Sequence, residues 1–265
     1  GIAPFFTPFS YGYRGLMRIY ICLIALLISC CAIAQQFPCW GCPSVSIHES
    51  LKAYQGFTLS FNPDTKIASW VFYTLNPAKL SAPKVKRNTK FKPDYTLPGG
   101  TASHADYKKS GFDKGHLAPA ADMAWSQASM NDCFYYSNIA PQYPECNRGI
   151  WKQIEDKVRT MARHCDSLMV FTGPVFKQSQ HRLGLSNILI PQAYYKIIAV
   201  FTAGQINTYA VVIPNARQFI TADHYACSIT AIEQLTGLNF FLNVNRPYMQ
   251  SLKQRINLLN SYYEN

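Results

Sequence analysis

Ser110-Gly111-Phe112-Asp113-Lys114-Gly115-His116-Leu117-Ala118-Pro119 is the stretch on which the reading of this chain turns. Two further elements follow it: Ser137-Asn138-Ile139-Ala140-Pro141-Gln142, then Asn147-Arg148-Gly149-Ile150-Trp151-Lys152-Gln153-Ile154-Glu155. Upstream lies Arg87-Asn88-Thr89-Lys90-Phe91-Lys92-Pro93-Asp94. Together they supply an imidazole, an amide oxygen, carboxylates and guanidinium groups. Such a set can activate a nucleophile and place positive charge around an anionic reacting centre. A histidine with an unperturbed pKa near 6.5 is largely neutral, and so basic, at pH 7. Positioned as a general base it contributes about 10²–10⁴-fold. A hard divalent cation prefers oxygen ligands and keeps several waters, and amide and carboxylate oxygens can supply such ligands.

The third element reads as a helix over 147–163, since Ile150, Ile154, Val158 and Met161 recur at spacings of three and four. Asn147 suits its N-cap, which would aim the positive helix end at a phosphate. Asn147, Trp151 and Glu155 stand four residues apart and share a helix side. Eight helical residues rise about 12 Å. That is too far for both polar side chains to grip one magnesium at about 2.1 Å, whereas a bridging water closes the gap.

These elements resemble the DNA/RNA non-specific endonuclease family, the ββα-metal nucleases. The family's D-R-G-H, S-N-x-x-P-Q and N-x-x-x-W-x-x-x-E signatures recur here in order and spacing, and Arg87–Asp94 is similar to its R-x-x-x-F-x-x-D element. Phe171-Thr172-Gly173-Pro174 and Ile232–Leu238 are also family-like, so the likeness spans roughly residues 44–245. The resemblance implies that His116 is the general base and Asn147 the direct ligand of a Mg²⁺ ion, with Mn²⁺ as its substitute. Glu155 would hold a metal-bound water and Arg87 would neutralise transition-state charge. Asp113 and Asn138 would position the histidine and shape the site. Substrate contacts would fall to Lys114, Arg87, Asn138 and Arg148. DNA and RNA are the implied substrates, cut to leave 5′-phosphate ends, and a homodimer and an inhibitor protein are admissible partners. One departure stands out. Lys114 replaces the family's arginine, which keeps the charge and loses the bidentate fork.

Bulk properties agree. Of 265 residues, 48% are hydrophobic and 15% charged, which provides a core and excludes wholesale disorder. The net charge of +11 points to an anionic partner such as nucleic acid or a membrane surface. Lys84, Lys86, Arg87, Lys90, Lys92, Lys108 and Lys109 are expected to line the substrate groove, binding backbone and not base edges. Nothing reads as a helix-turn-helix or zinc finger.

Near the N-terminus, Met17-Arg18 precedes the apolar run Ile19–Ile28 and then Ala32-Ile33-Ala34, the pattern of a secretory signal peptide. The run is shorter than the roughly 20 residues of a bilayer span. The organisation expected is an upstream extension over 1–16, a signal peptide over 17–34 and one nuclease domain over 35–265, secreted or periplasmic. Removing the leader costs Arg14 and Arg18 and no acidic residue, leaving +9. Leu27-Ile28-Ser29-Cys30 also resembles a lipobox, so membrane tethering at Cys30 stays open. Beyond the leader remain Cys39, Cys42, Cys133, Cys146, Cys165 and Cys227, an even set that in an exported chain reads as disulfides with no free thiol. Cys39-Trp40-Gly41-Cys42 alternatively reads as half a zinc site or a redox pair.

Lys66–Leu75 and Leu168–Thr172 read as strands, and Tyr194–Phe201 with Thr208–Ile213 as a hairpin around Ala203-Gly204. Residues 76–110 form a long basic excursion. Thr230 to Glu233 reads as a capping box, with Gly237 as the stop. Strands and helices without regular alternation give an α+β fold with a mainly antiparallel sheet and helices on its faces.

Overall fold

The computed structural model describes residues 41–176, 181–244 and 246–263, all within one compact unit spanning Phe37–Asn265. The extension, the leader, the lipobox and Cys39 lie outside the described residues. Six strands form one sheet in the order β1 (Ser50–Ala53), β2 (Phe57–Asn62), β3 (Ile67–Leu75), β6 (Ser167–Val175), β9 (Ala193–Thr202) and β10 (Gln205–Pro214). Every neighbouring pair is antiparallel. A two-stranded ribbon of β4 (Asp113–His116) and β5 (Ile139–Gln142) stands apart from it, as does the short pair β7 (Arg182–Leu183) and β8 (Ile188–Leu189). The helices are α1 (Pro77–Ser81), α2 (His104–Tyr107), α3 (Gln127–Asp132), α4 (Lys152–Arg163), α5 (Ile229–Thr236) and α6 (Arg246–Gln254).

Strand β9 explains the layering. Its side chains alternate between faces, and both faces are covered. Tyr194, Ile198 and Val200 enter a core with Tyr73, Ile154 and Val158, on the side of α4. Tyr195, Ile197 and Ala199 enter a second core with Trp70, Phe171, Ile229 and Leu252, under α5 and α6. A strand covered on both sides reads as an unbroken apolar run. The β9–β10 turn places Ala203 and Gly204 at φ 49° and 77°, the two left-handed residues that a tight hairpin matching strand twist requires.

Several expectations are corrected. The 147–163 helix is not regular: Cys146–Trp151 winds as a π-helical segment with Gly149 at φ −98°, ψ −114°, and α4 begins only at Lys152. Asn147 is therefore no N-cap, and the uniform 12 Å rise does not carry over. The cap of α5 is Ser228, whose side chain accepts from Ala231 N–H, and not Thr230; Gly237 does end that helix, at φ 74°. The 76–110 excursion contains α1 and α2 and is stitched to the core by Val85 N–H to Ala124 O and Lys92 N–H to Phe134 O. Cys133, Cys146, Cys165 and Cys227 are free thiols, against the fully oxidised set expected. The first three are buried, where a thiol packs as a small apolar group. Among the described cysteines only Cys42 is disulfide-bonded.

Candidate active site

The β4–β5 ribbon carries the histidine. Asp113 pairs with Gln142 and His116 with Ile139. Gly115 is dictated by packing, since a Cβ there would stand 2.1 Å from Gln142 Oε1. Asn138 fixes the exit of β4. Its Nδ2 donates to Ala118 O and Cys133 O, and its Oδ1 accepts from Ala118 N–H, all at 2.9 Å. With no exposed surface and its amide spent on backbone, Asn138 anchors the chain behind His116 and is not a substrate contact, which corrects that expectation.

His116 is half-buried between aromatic rings: Phe134 meets it edge-on at 4.9 Å between centroids and Phe91 lies at 5.4 Å. Its Nε2 is buried with no hydrogen-bond partner among the described residues. Burial, and then the nearby Arg87 charge, push its pKa down to about 3. The imidazole is therefore neutral at physiological pH, and an anion bound beside it would raise its basicity again. Arg87 sits over the opposite partner, its guanidinium carbon 5.4 Å from the Phe134 ring. The segment around it is held by the Lys92–Tyr135 bridge, while Asp94 accepts from Tyr54 Oη and Thr96 Oγ1 as a buried brace.

A cleft of about 320 Å³ is lined by His116, Arg87, Lys114, Asn147, Arg148 and Glu155, together with Lys152 and Arg159. The structure thus gathers six of the eight residues singled out from sequence at one surface. Of the seven basic residues expected to line the substrate groove, Arg87 is the one that lines this cleft. Lys114 Nζ lies 3.0 Å from His104 Nδ1 and 4.7 Å from the Phe91 ring centre.

Asp113 does not orient His116; its hydrogen bonds go elsewhere. Asn147 Nδ2 donates to Asp113 Oδ2 at 2.9 Å, and Arg148 grips both carboxylate oxygens at 2.8 and 2.6 Å. Burial raises the Asp113 pKa, but the Arg148 and Asn147 bonds outweigh it and hold it below the usual carboxylate range. A carboxylate only accepts. The Asn147 amide must therefore turn its nitrogen to Asp113, which frees its oxygen for another partner. Among the described residues no group of three or more His, Cys, Asp or Glu is placed to hold a metal, so a divalent ion here fits the one free amide oxygen, completed by water and phosphate.

Glu155 reaches the same cleft from α4 and makes no hydrogen bond to the described residues. Behind it lies a cluster that the sequence reading missed. Asp122, almost fully buried, accepts from Arg159 at 2.7 Å and from Tyr73 Oη at 2.9 Å, and Lys196 is fully buried. Burial raises the Glu155 pKa, opposed first by Lys196; burial lowers that of Lys196. The signal was present, because Lys196 interrupts an otherwise apolar strand and Arg159 stands one turn beyond Glu155.

Residues 42–247 match the profile of the DNA/RNA non-specific endonuclease family. The chain belongs to this family. It is 33% identical to mitochondrial endonuclease G of Homo sapiens over 219 residues, covering 77% of this chain and 73% of that protein. A nuclease of Nostoc sp. is 28% identical over 265 residues, 88% of this chain and 95% of its own. The fold matches a chain in the crystal structure of an EndoG/EndoGI complex with a TM-score of 0.70 at 26% identity, over 74% of this chain and 87% of that one. The ββα-metal reading of the fold and the assignment as an endonuclease both stand on these likenesses. Some relatives are named as mitochondrial proteins, others simply as nucleases. Among the described residues no helix is long and apolar enough to cross a membrane.

Proposed function

We propose that the protein is an exported, magnesium-dependent endonuclease that hydrolyses DNA and RNA with little sequence preference, leaving 5′-phosphate and 3′-hydroxyl ends. The observation that carries the reading is the Asp113–Asn147 hydrogen bond, which leaves the amide oxygen available in the cleft that His116 also lines. His116 takes the proton of the attacking water, whose oxygen bonds to phosphorus as the 3′-oxygen leaves. Magnesium, when bound, supplies Lewis-acid stabilisation of the phosphate charge. Asn147 is its protein ligand and Glu155 holds one of its waters. Arg87 and Lys114 bring cationic charge to the scissile phosphate.

Export rests on the leader-like segment at 17–34. The existence of an EndoG/EndoGI complex gives an inhibitor protein for this chain its basis as a further proposal. The test is direct: purified residues 35–265 are incubated with supercoiled plasmid and with RNA, in magnesium or in EDTA. Cleavage of both in magnesium alone is expected. Activity on neither, or undiminished activity in EDTA, refutes the reading.

A further inference from the structure

Lys196 is the one charged residue in β9, and it is fully buried. Strand alternation sets it with Tyr194 and Ile198, on the sheet face that packs against α4. Its Nζ has no hydrogen-bond partner among the described residues and rests 4.4 Å from the centre of the Trp151 indole. Trp151 lies between Asn147 and Glu155 in sequence and is itself buried, so the ammonium sits beneath the segment that delivers both to the cleft. A buried, unpartnered ammonium is costly, and core packing alone gives no reason to retain one where a methionine would fill similar space.

The surrounding charges supply the reason. The groups acting on Lys196 are the anions Glu155 and Asp122 and the cation Arg159. Asp122 already has Arg159 and Tyr73 as hydrogen-bonded partners. Glu155 has no such partner, so Lys196 is the cation left to balance it. Lys196 is absent from the cleft lining and touches no reacting atom. We propose that Lys196 is a positioning residue of the active site: its buried ammonium, seated on Trp151, attracts the Glu155 carboxylate and keeps it turned to the cleft.

The catalytic half of this proposal rests on the proposed role of Glu155, whereas the charge pairing does not, and the experiment separates them. Wild type, Lys196→Met, Glu155→Gln and the double variant are unfolded by denaturant without metal. Lys196→Met leaves Glu155 without its cation, so it should lose stability that Glu155→Gln restores. The coupling expected is at least tenfold in the unfolding constant, about 1.4 kcal/mol. Effects that multiply within twofold would overturn the pairing. If Lys196→Met fails to fold, a folded double variant supports the proposal and an unfolded one overturns it, because packing alone would then explain the lysine. In magnesium, folded Lys196→Met should lose at least about tenfold in kcat while KM moves less than about threefold. Wild-type kcat would overturn the positioning role. Should Glu155→Gln cleave normally, the assignment of Glu155 falls while the stability cycle still reads the pair.

Discussion

Asp113→Ala isolates the contact that turns the Asn147 oxygen away from the carboxylate. With Asp113 present, the 2.9 Å bond from Asn147 Nδ2 decides which end of the amide is free. Without it, the amide can rotate half a turn and present its NH₂ group, which carries the wrong partial charge for a cation. Hydrogen bonds to charged groups contribute about 1.5–3 kcal/mol. With 1.4 kcal/mol per factor of ten, that bias corresponds to roughly 10–100-fold in orientation, the range in which loss of an outer partner weakens metal sites. The Asp113 side chain is 17% exposed, which favours the lower half. Magnesium for half-maximal cleavage of supercoiled plasmid should therefore rise about 10–30-fold, with much of the rate recovered at saturation. Arg148→Ala is the control. Arg148 is 72% exposed, so solvent screens its ion pair and its loss should shift the midpoint less than about fivefold. Rates are read across a magnesium series at constant ionic strength, with melting curves to confirm folding. Wild-type magnesium dependence in folded Asp113→Ala would refute the argument. An equal shift in Arg148→Ala would place the effect in the charge of the cleft and not in the direction of the amide.

His116→Ala should lower turnover by about 10²-fold or more with substrate binding retained; near-wild-type cleavage by the folded variant ends its role as base. The same histidine predicts a pH dependence of stability. Below pH 6.5 the unfolded chain gains a proton that folded His116, with its pKa pushed down to about 3, does not take up. Its contribution is thus present above pH 6.5 and lost as pH falls towards 3, with a slope of about 1.4 kcal/mol per pH unit. Denaturant titrations of His116→Asn should lack that slope, and an unchanged profile contradicts the burial argument. Affinity for B-DNA should fall with log salt by about 0.9 per phosphate neutralised, equally for unrelated sequences; a strong preference for one site at constant salt would contradict backbone binding. Thiol titration of denatured, unreduced protein should detect Cys133, Cys146, Cys165 and Cys227, and none reacting would restore the oxidised set.

The sheet and the site were legible where local pattern and tertiary demand coincide. β3, β6 and the β9–β10 hairpin announce themselves through β-branched and aromatic runs with turn residues at their ends. That His116, Asn147, Glu155 and Arg87 would share one cleft was legible because the chemistry the resemblance implies limits the residue types. Winding over Cys146–Trp151 was not, because the apolar spacing of Ile150, Ile154, Val158 and Met161 is the same for a regular helix. What unwinds it is non-local, since Asn147 is drawn to Asp113 across 34 residues of sequence. As a substrate contact, though not as a residue that positions the histidine, Asn138 was misread for a related reason. An amide that clamps three backbone groups and one that meets a ligand are the same letter, and only burial separates them. The expectation of a fully oxidised set failed at Cys133, Cys146, Cys165 and Cys227 because parity of cysteines carries no geometry: Cys133 Sγ instead donates to Met130 O, a local bond of its own turn.

The cleft cations then separate by their partners, and the division bears on specificity. Arg148 is committed to Asp113, Lys152 to Asp156, and Arg159 to Asp122 and Asp156. Arg87 and Lys114 have no carboxylate within salt-bridge reach among the described residues, and both stand beside His116. Lys114 precedes it by two residues on β4, and so on the same strand face; Arg87 rests on the ring that meets His116 edge-on. Lys114 is held not by an anion but by contact with His104 Nδ1 and by the faces of Phe91 and Tyr136. Those contacts place the ammonium without cancelling its charge. A point charge needs no matched fork to neutralise a phosphate oxygen, so the proposed phosphate contact is open to a lysine where the family has arginine. In the proposed mechanism two uncommitted cations beside His116 would recognise a phosphate in any sequence, and contacts of that kind carry no information about the bases.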